Sequence, residues 1–197
     1  LSVALQPPRP ALFILGGAKF ENKLPLLKKF IRLYDSVFVC GALANDFFQA
    51  QSFNIGNSLV SQTSLDLESL ATPNLYLPND AIVRSNITIE ANSLDNISQG
   101  EKIVDAGPKT MENLRQLISQ SRFILWNGPL GEYEAGFSDG TKSLATMIAQ
   151  SQAESIVGGG DTVSAITTLG LENKFSFVST GGGAMLDFLA NETLPGI

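Results

Sequence analysis

The chain has 197 residues, 44% hydrophobic and 16% charged, a balance that fits a globular domain with a sizeable core. Histidine is absent, which excludes Ser-His-Asp and Cys-His catalysis and disfavours a zinc site, and the single cysteine, Cys40, excludes an internal disulfide. A net charge of -6 argues against nucleic-acid binding, no apolar run approaches the ~20 residues that cross a bilayer, and no charged n-region precedes an apolar stretch, so a cytoplasmic protein is expected.

Leu1 to Gln6 is a short apolar piece that stops at Pro7-Pro8-Arg9-Pro10 and reads as the tail of a helix cut from something longer. Ala11 to Leu15 is an apolar strand, followed by Gly16-Gly17-Ala18-Lys19 and a helix whose first turn Pro25 suits. Leu26, Leu27, Phe30, Ile31 and Tyr34 follow helical spacing there, with Lys28, Lys29 and Arg32 on the other face. A second strand, Ser36 to Cys40, meets Gly41 and a helix through Gln51, and Ser64 to Leu70 reads as a further helix. Between 75 and 106 the pattern changes to a small β-rich insertion, with runs at Leu75-Tyr76-Leu77, Ala81-Ile82-Val83, Ile87-Thr88-Ile89 and Lys102 to Ala106. Thr110 to Ser119 is helical. Phe123 to Trp126 is the next strand, meeting Asn127-Gly128-Pro129-Leu130-Gly131, and a helix from about Thr141 to Gln150 follows. The strand Ser155 to Val157 then feeds Gly158-Gly159-Gly160-Asp161-Thr162 and a helix from Val163 to Leu169. Last come the strand Phe175 to Ser179, the turn Thr180-Gly181-Gly182-Gly183 and a helix from Ala184 to Ala190.

Five times an apolar strand runs into a glycine-bearing turn and then a helix. That alternation predicts an α/β fold, a doubly wound, mostly parallel sheet with helices on both faces in a Rossmann-like three-layer α/β/α arrangement. Right-handed crossovers bring the turns at Gly16, Gly41, Gly128, Gly158 and Gly181 to the carboxyl edge of one sheet, where open α/β sheets bind ligands.

Three glycines in a row expose the main chain to a ligand, and the N–H groups of the helix start behind them favour an anion. Asp161 stands where an anion would be welcome. It either caps the helix or, as a metal ligand, shares Mg2+ with phosphate oxygens. The G-x-x-x-x-G-K-[ST] phosphate loop and the G-x-G-x-x-G dinucleotide fingerprint are both absent. Lys19 and Lys23, one helical turn apart, are either a polyphosphate clamp or two solvated surface lysines. Glu134 is either a ribose acceptor or a surface carboxylate, and Trp126 reads as core.

Seven stretches stand in a fixed order: Leu15-Gly16-Gly17-Ala18-Lys19 with Lys23, Asp105 with Gly107-Pro108-Lys109-Thr110, Trp126 to Gly131 with Glu134, Gly140-Thr141-Lys142, Val157 to Thr162, Ser179 to Ala184, and Leu194-Pro195-Gly196. On these the chain resembles the carboxyl-terminal, nucleotide-binding domain of the phosphoglycerate kinases. The resemblance implies reversible phosphoryl transfer between ATP and 3-phosphoglycerate, with Mg2+ carried on the nucleotide and a monomer as the expected state. It assigns residues 1–10 to the end of an interdomain helix and linker and 11–197 to the nucleotide-binding domain. By position, Lys19 would stabilise the moving phosphoryl group and Lys23 would hold nucleotide phosphates. Asp161 would face the metal, Gly159, Gly160, Thr162 and the helix start would bind phosphate, and Glu134 would take the ribose hydroxyls. Gly17, Ala18, Asn127, Gly128 and Pro129 would line the crevice, while Gly181, Gly182 and Gly183 would cradle the transferring phosphate.

The chain departs from the family pattern at Ala42, where a third glycine is usual, at Ile103, where a glycine often meets the adenine, and at Glu101, which replaces a frequent tryptophan. The 3-phosphoglycerate site belongs to that family's amino-terminal domain, so this chain alone is expected to bind ATP or ADP with little or no turnover. Two other readings are a nicotinamide-dependent oxidoreductase domain with a non-standard glycine turn and a non-catalytic anion-binding module.

Overall fold

A computed structural model of the chain describes residues 1–18, 20–61, 67 and 70–192. Five strands form most of one parallel sheet: β1 (Ala11–Leu15), β2 (Ser36–Val39), β7 (Phe123–Asn127), β8 (Glu154–Gly158) and β9 (Phe177–Ser179). The short β3 (Leu75–Tyr76) completes it in the order β3-β2-β1-β7-β8-β9, with every pairing parallel. The chain therefore winds outward from β1 to β3, returns beside β1 as β7, and winds the other way. The crevice between β1 and β7 is the switch point of the sheet.

Strands buried on both faces need no polar alternation, and Ala11 through Leu15 are at most 1% exposed. Their odd and even residues serve different layers. Phe13, Leu15, Val37, Val39, Phe123 and Leu125 pack with α1 (Phe20–Leu33), α2 (Ala42–Ala50) and α6 (Gly182–Asn191). Leu12, Ile14, Phe38, Ile124, Trp126 and Val157 pack with α3 (Pro108–Gln120), α4 (Asp139–Gln150) and α5 (Gly160–Thr168) on the other face. The predicted three-layer arrangement is the observed one.

The insertion is a second sheet in the order β5-β4-β6, antiparallel, built from β4 (Asp80–Arg84), β5 (Ile89–Ser93) and β6 (Lys102–Ala106). Ala81 and Val83 bury their side chains with Ala44 and Phe48 of α2, which fixes this sheet beside the rim of the large one. The Asp80 carboxylate accepts from the amides of Lys109 and Thr110 at 2.9 and 2.8 Å, so it caps α3 from a different strand.

Four local expectations are corrected. Ile87-Thr88-Ile89 is not a strand: Ser85 Oγ accepts the amides of Ile87 and Thr88, closing a hydroxyl-capped turn, and β5 starts only at Ile89. Pro25 lies inside α1 rather than in its first turn, because the helix begins at Phe20. Leu1 to Gln6 carries a 3-10 turn, Ser2–Leu5, held by the Tyr34 hydroxyl, which donates to the Ala4 carbonyl at 2.9 Å. The last strand starts at Phe177 because a 3-10 turn, Glu172–Lys174, occupies the approach to it. The helix expected over Ser64 to Leu70 falls outside the described residues except for Leu67 and Leu70, both buried.

Candidate functional site

All five βα turns reach one edge, four of them joined by hydrogen bonds and the fifth by close contact. Gly16 and Gly17, after β1, donate to the carbonyls of Asn127, the last residue of β7, and of Pro129 beyond it, at 2.8 and 3.0 Å. The Gly17 carbonyl accepts from Leu43 of α2 at 3.1 Å. On the other side, the Gly128 amide donates to Thr162 Oγ1 at 3.0 Å, which fastens the β7 turn to the start of α5. The two glycine triplets touch as well: a Cβ on Gly182 would lie 2.6 Å from the Gly159 Cα. The predicted convergence of separate turns is thus a continuous strip of mutually supporting backbone.

Gly128 shows why this strip needs glycine. Its φ of +93° is strained for any side chain, and a Cβ there would stand 2.3 Å from the Gly16 carbonyl oxygen. Trp126 locks the same turn from below. It is fully buried, and its Nε1 donates to the Gly128 carbonyl at 2.9 Å. The expectation of a core tryptophan is met, with a turn-holding bond added.

Above the strip lies a cleft of about 320 Å³, near the lower end of the usual range for small-ligand sites. Gly17, Ala18, Pro129, Glu134 and Asp161, all predicted site residues, are on its wall. Glu134 is exposed, in a 3-10 turn formed by Tyr133–Ala135. Asp161 stands in the first turn of α5, where the helix amides lack intrahelical partners. Gly159 and Gly160 form the cap of that helix, and Gly181 caps α6 ahead of Gly182 and Gly183. Lys19 lies outside the described residues, as do Leu194, Pro195 and Gly196.

Three predicted residues sit behind the wall. The Lys23 ammonium donates to the Gly16 carbonyl, so its charge is held at the end of β1. Asn127 is 3% exposed, and among the described residues its Nδ2 has no hydrogen-bond partner. That is an unused donor beside the first triplet, 3.6 Å from where a Gly159 Cβ would be. Thr162 is fully buried with its hydroxyl oxygen accepting from Gly128, so it serves the strip directly. Cys40 is fully buried at the end of β2, and burial pushes its thiol well above the usual range.

The far wall comes from the small sheet and the arm after β7. The Glu132 amide donates to the Val104 carbonyl at 2.8 Å, and the Glu132 carboxylate pairs with Lys102 of β6. Asp105 holds this arm. Its carboxylate accepts from the amides of Ala106 and Gly140, each at 2.9 Å. Burial pushes the Asp105 carboxyl up to about 6, against the pull of the Gly140 and Ala106 amides and with a further rise from nearby Asp139.

Ala42 and Ile103, the two departures from the family pattern, are both on the cleft wall. Glu101 is not; its carboxylate accepts from the Ser98 amide at 2.7 Å. Sequence reasoning missed Asn45, Leu59 and Tyr133 as wall residues. Asn45 left one signal, a polar residue in the first turn of a helix that starts at the rim. Leu59 and Tyr133 left none, since their places depend on how loops fold over the strip.

The comparisons agree with this geometry. The family model for phosphoglycerate kinase matches residues 1–192. The phosphoglycerate kinase of Chlorobium phaeobacteroides is 41% identical over 206 residues, covering 97% of this chain and 52% of that protein. The solved phosphoglycerate kinase structure from Coxiella burnetii superposes with a TM-score of 0.89 at 39% identity, over 96% of this chain and 52% of that one. The structure from Pyrococcus horikoshii gives 0.81 at 29% identity, over 98% and 53%. The chain spans about half the length of the relatives it matches. With a matching family model over nearly all of its length and a sheet that superposes on solved members, the chain belongs to the phosphoglycerate kinase family.

Proposed function

We propose that this chain binds Mg-ADP and Mg-ATP in the cleft at the β1/β7 switch point. It would form the nucleotide half of an enzyme that moves the γ-phosphoryl group of ATP reversibly to the carboxylate of 3-phosphoglycerate. In the forward step the bond from the γ-phosphorus to the bridging oxygen breaks as a bond to the carboxylate oxygen forms, leaving ADP and 1,3-bisphosphoglycerate. The observation that carries the reading is the joining of both glycine triplets, the α5 start and Asp161 along one strip beside the cleft. Bare amides and a helix N-terminus suit phosphate oxygens, and positioning with charge neutralisation supplies most of the rate in such transfers.

Each residue then has a task. Lys23, whose ammonium is held at the end of β1, and Lys19 would supply positive charge to the phosphates, with Lys19 assigned to the group in transit. The unused Nδ2 donor of Asn127 suits a phosphate oxygen. Amides at Gly159, Gly160 and Thr162 take phosphate, while the Thr162 hydroxyl holds the Gly128 turn. Gly181 to Gly183 stand on the other side of the transferring group, and Glu134 takes the ribose hydroxyls from the rim. Gly17, Ala18, Gly128 and Pro129 keep the crevice narrow.

The donor set fits Mg2+ that arrives on the nucleotide. Asp161 offers one hard oxygen ligand beside anion-attracting amides, and Mg2+ keeps several waters while sharing phosphate oxygens. Among the described residues no cluster of three or more acidic or cysteine side chains comes together to hold the ion by itself. The ion would neutralise the phosphate oxygens when bound. Residues 1–10 would end the link to the part of the enzyme that holds 3-phosphoglycerate, so residues 1–197 taken by themselves would turn over little or no substrate.

Calorimetric titration tests the reading. Mg-ADP should bind saturably, Lys23→Ala should weaken it, Asp161→Ala should remove the dependence on Mg2+, and NAD should not compete. Absence of heat together with an unchanged melting temperature would defeat the proposal, because a ligand selective for the folded state must raise its stability.

A further inference from the structure

The loop 131–140 leaves the rim after β7 and rejoins the body of the protein at the start of α4, and both of its ends meet one buried side chain. A Cβ on Gly131 would lie 2.6 Å from Asp105 Oδ1, and one on Gly140 would lie 2.4 Å from the same oxygen. The Gly140 amide donates to Oδ2 at 2.9 Å, while Oδ1 accepts from Ala106. A single carboxylate therefore closes the neck of the loop. Beyond the neck the loop folds on itself, with the Gly136 and Phe137 amides donating to the Tyr133 and Glu132 carbonyls at 3.0 and 3.2 Å, so it moves as a unit.

That unit carries Glu132, Tyr133 and Glu134 to the cleft wall, whereas Asp105 is 5% exposed and stands behind the wall on β6. The loop has other ties to the small sheet, from the Glu132 amide to the Val104 carbonyl and from Arg84, 5.5 Å above the Phe137 ring. Each of these holds one point; Asp105 meets both ends. A carboxylate is an unfavourable choice for so buried a place, since burial opposes its charge and pushes the group up to about 6. What it does that an apolar or amide side chain cannot is accept from both N–H groups at once.

We propose that Asp105 is a positioning residue for the nucleotide cleft: by holding both ends of the loop 131–140 against β6, it fixes where Glu134 meets the ribose. The inference rests on the nucleotide reading above and assigns the placement of Glu134 to a group that lies behind the wall. The plain alternative is a remote helix cap, since Gly140 lies in the first turn of α4. Loss of a cap would weaken the cleft as a whole, whereas loss of a positioning residue removes one contact selectively.

Titration at pH ~8, where the carboxylate is ionised, with the Mg2+ complexes of ADP and 2′,3′-dideoxy-ADP separates the two, because these ligands differ only in the ribose hydroxyls. In the wild-type chain ADP should bind about tenfold tighter, the factor supplied by hydroxyls bonded to a carboxylate. In Asp105→Asn, whose amide can accept from one of the two N–H groups but not both, the ratio should fall to about two, through weaker ADP with dideoxy-ADP changed by no more than about twofold. Adding Asp105→Asn to Glu134→Ala should then change ADP affinity by no more than about twofold, since no carboxylate is left to position. Equal loss of both ligands in Asp105→Asn, or retention of the wild-type ratio, would overturn the inference and leave Asp105 as a cap. Should Asp105→Asn fail to fold, Gly131→Ala decides, because its Cβ crowds the same oxygen from the other end and should give the same selective loss. If neither diphosphate binds the wild-type chain, the nucleotide reading itself fails; if both bind equally, that reading stands and this inference falls.

Discussion

Contact between the two glycine triplets can be tested by adding one methyl group at each of two adjacent positions. A Cβ on Gly182 would sit 2.6 Å from the Gly159 Cα and 2.8 Å from its nitrogen, roughly 1 Å inside a normal carbon contact. Both neighbours are backbone, and Gly159 holds a φ of +105°, so neither can rotate away. Relief requires the start of α6 to retreat from α5. Overpacking of this kind costs about 1–3 kcal/mol, against up to ~1 kcal/mol gained from alanine in a helix, so Gly182→Ala should destabilise by about 1–2 kcal/mol. A Cβ on Gly183 meets nothing within 4 Å, and Gly183→Ala should stabilise by about 0.5–1 kcal/mol. For a chain of this size the melting temperatures should move by roughly 2–8 °C downward and 1–4 °C upward. Urea unfolding followed by the emission of Trp126, the one tryptophan, measures both. Equal stability of the two variants would show that the triplets do not touch. The joined strip beneath the cleft would then be wrong.

Two further predictions concern the groups that hold the cleft. The Asp105 carboxyl has its ordinary value near 3.8 raised to about 6 in the fold, so the native state favours its protonated form. Its contribution is present in full below pH ~4 and is lost as pH rises through ~6, a change of at most about 3 kcal/mol. Asp105→Asn should flatten that part of the pH profile of urea stability, and an unchanged profile would show that burial does not control this carboxyl. Trp126→Phe removes the bond to the Gly128 carbonyl and leaves unfilled volume, so it should cost about 2–4 kcal/mol by circular dichroism. Mg-ADP should bind this variant more weakly, because Gly128 carries the turn tied to Thr162.

What the sequence made legible follows from which interactions are local. β1 and β7 are buried on both faces, so their apolar residues run without interruption, and the glycines after them mark the turns by composition alone. Ile87 failed for the converse reason. Its β-branched run looks like a strand, but Ser85 captures the amides of Ile87 and Thr88, and Ile87 is 93% exposed. Pro25 failed because a helix start is set by tertiary fit as much as by the residue that suits its first turn.

The site divides in the same way. Residues whose role is to be small or to carry charge at the rim, such as Gly17, Pro129 and Asp161, announce themselves through spacing and stand on the cleft wall. Residues whose role depends on a distant partner do not. The Thr162 hydroxyl shows its structural task only when Gly128, 34 positions earlier, is seen to donate to it. Asp105 reads as one letter of a motif until Gly140, 35 positions later, lands on its carboxylate. Asn45 is more hidden still, because what marks it is an acceptor left over, among the described residues, once the Leu59 carbonyl has taken its amide nitrogen. An unmade bond leaves no periodicity in a sequence; it becomes visible only when every neighbour has been placed. The small and charged residues of this cleft can therefore be read from the chain, whereas the polar atoms it leaves unpaired have to be read from the fold.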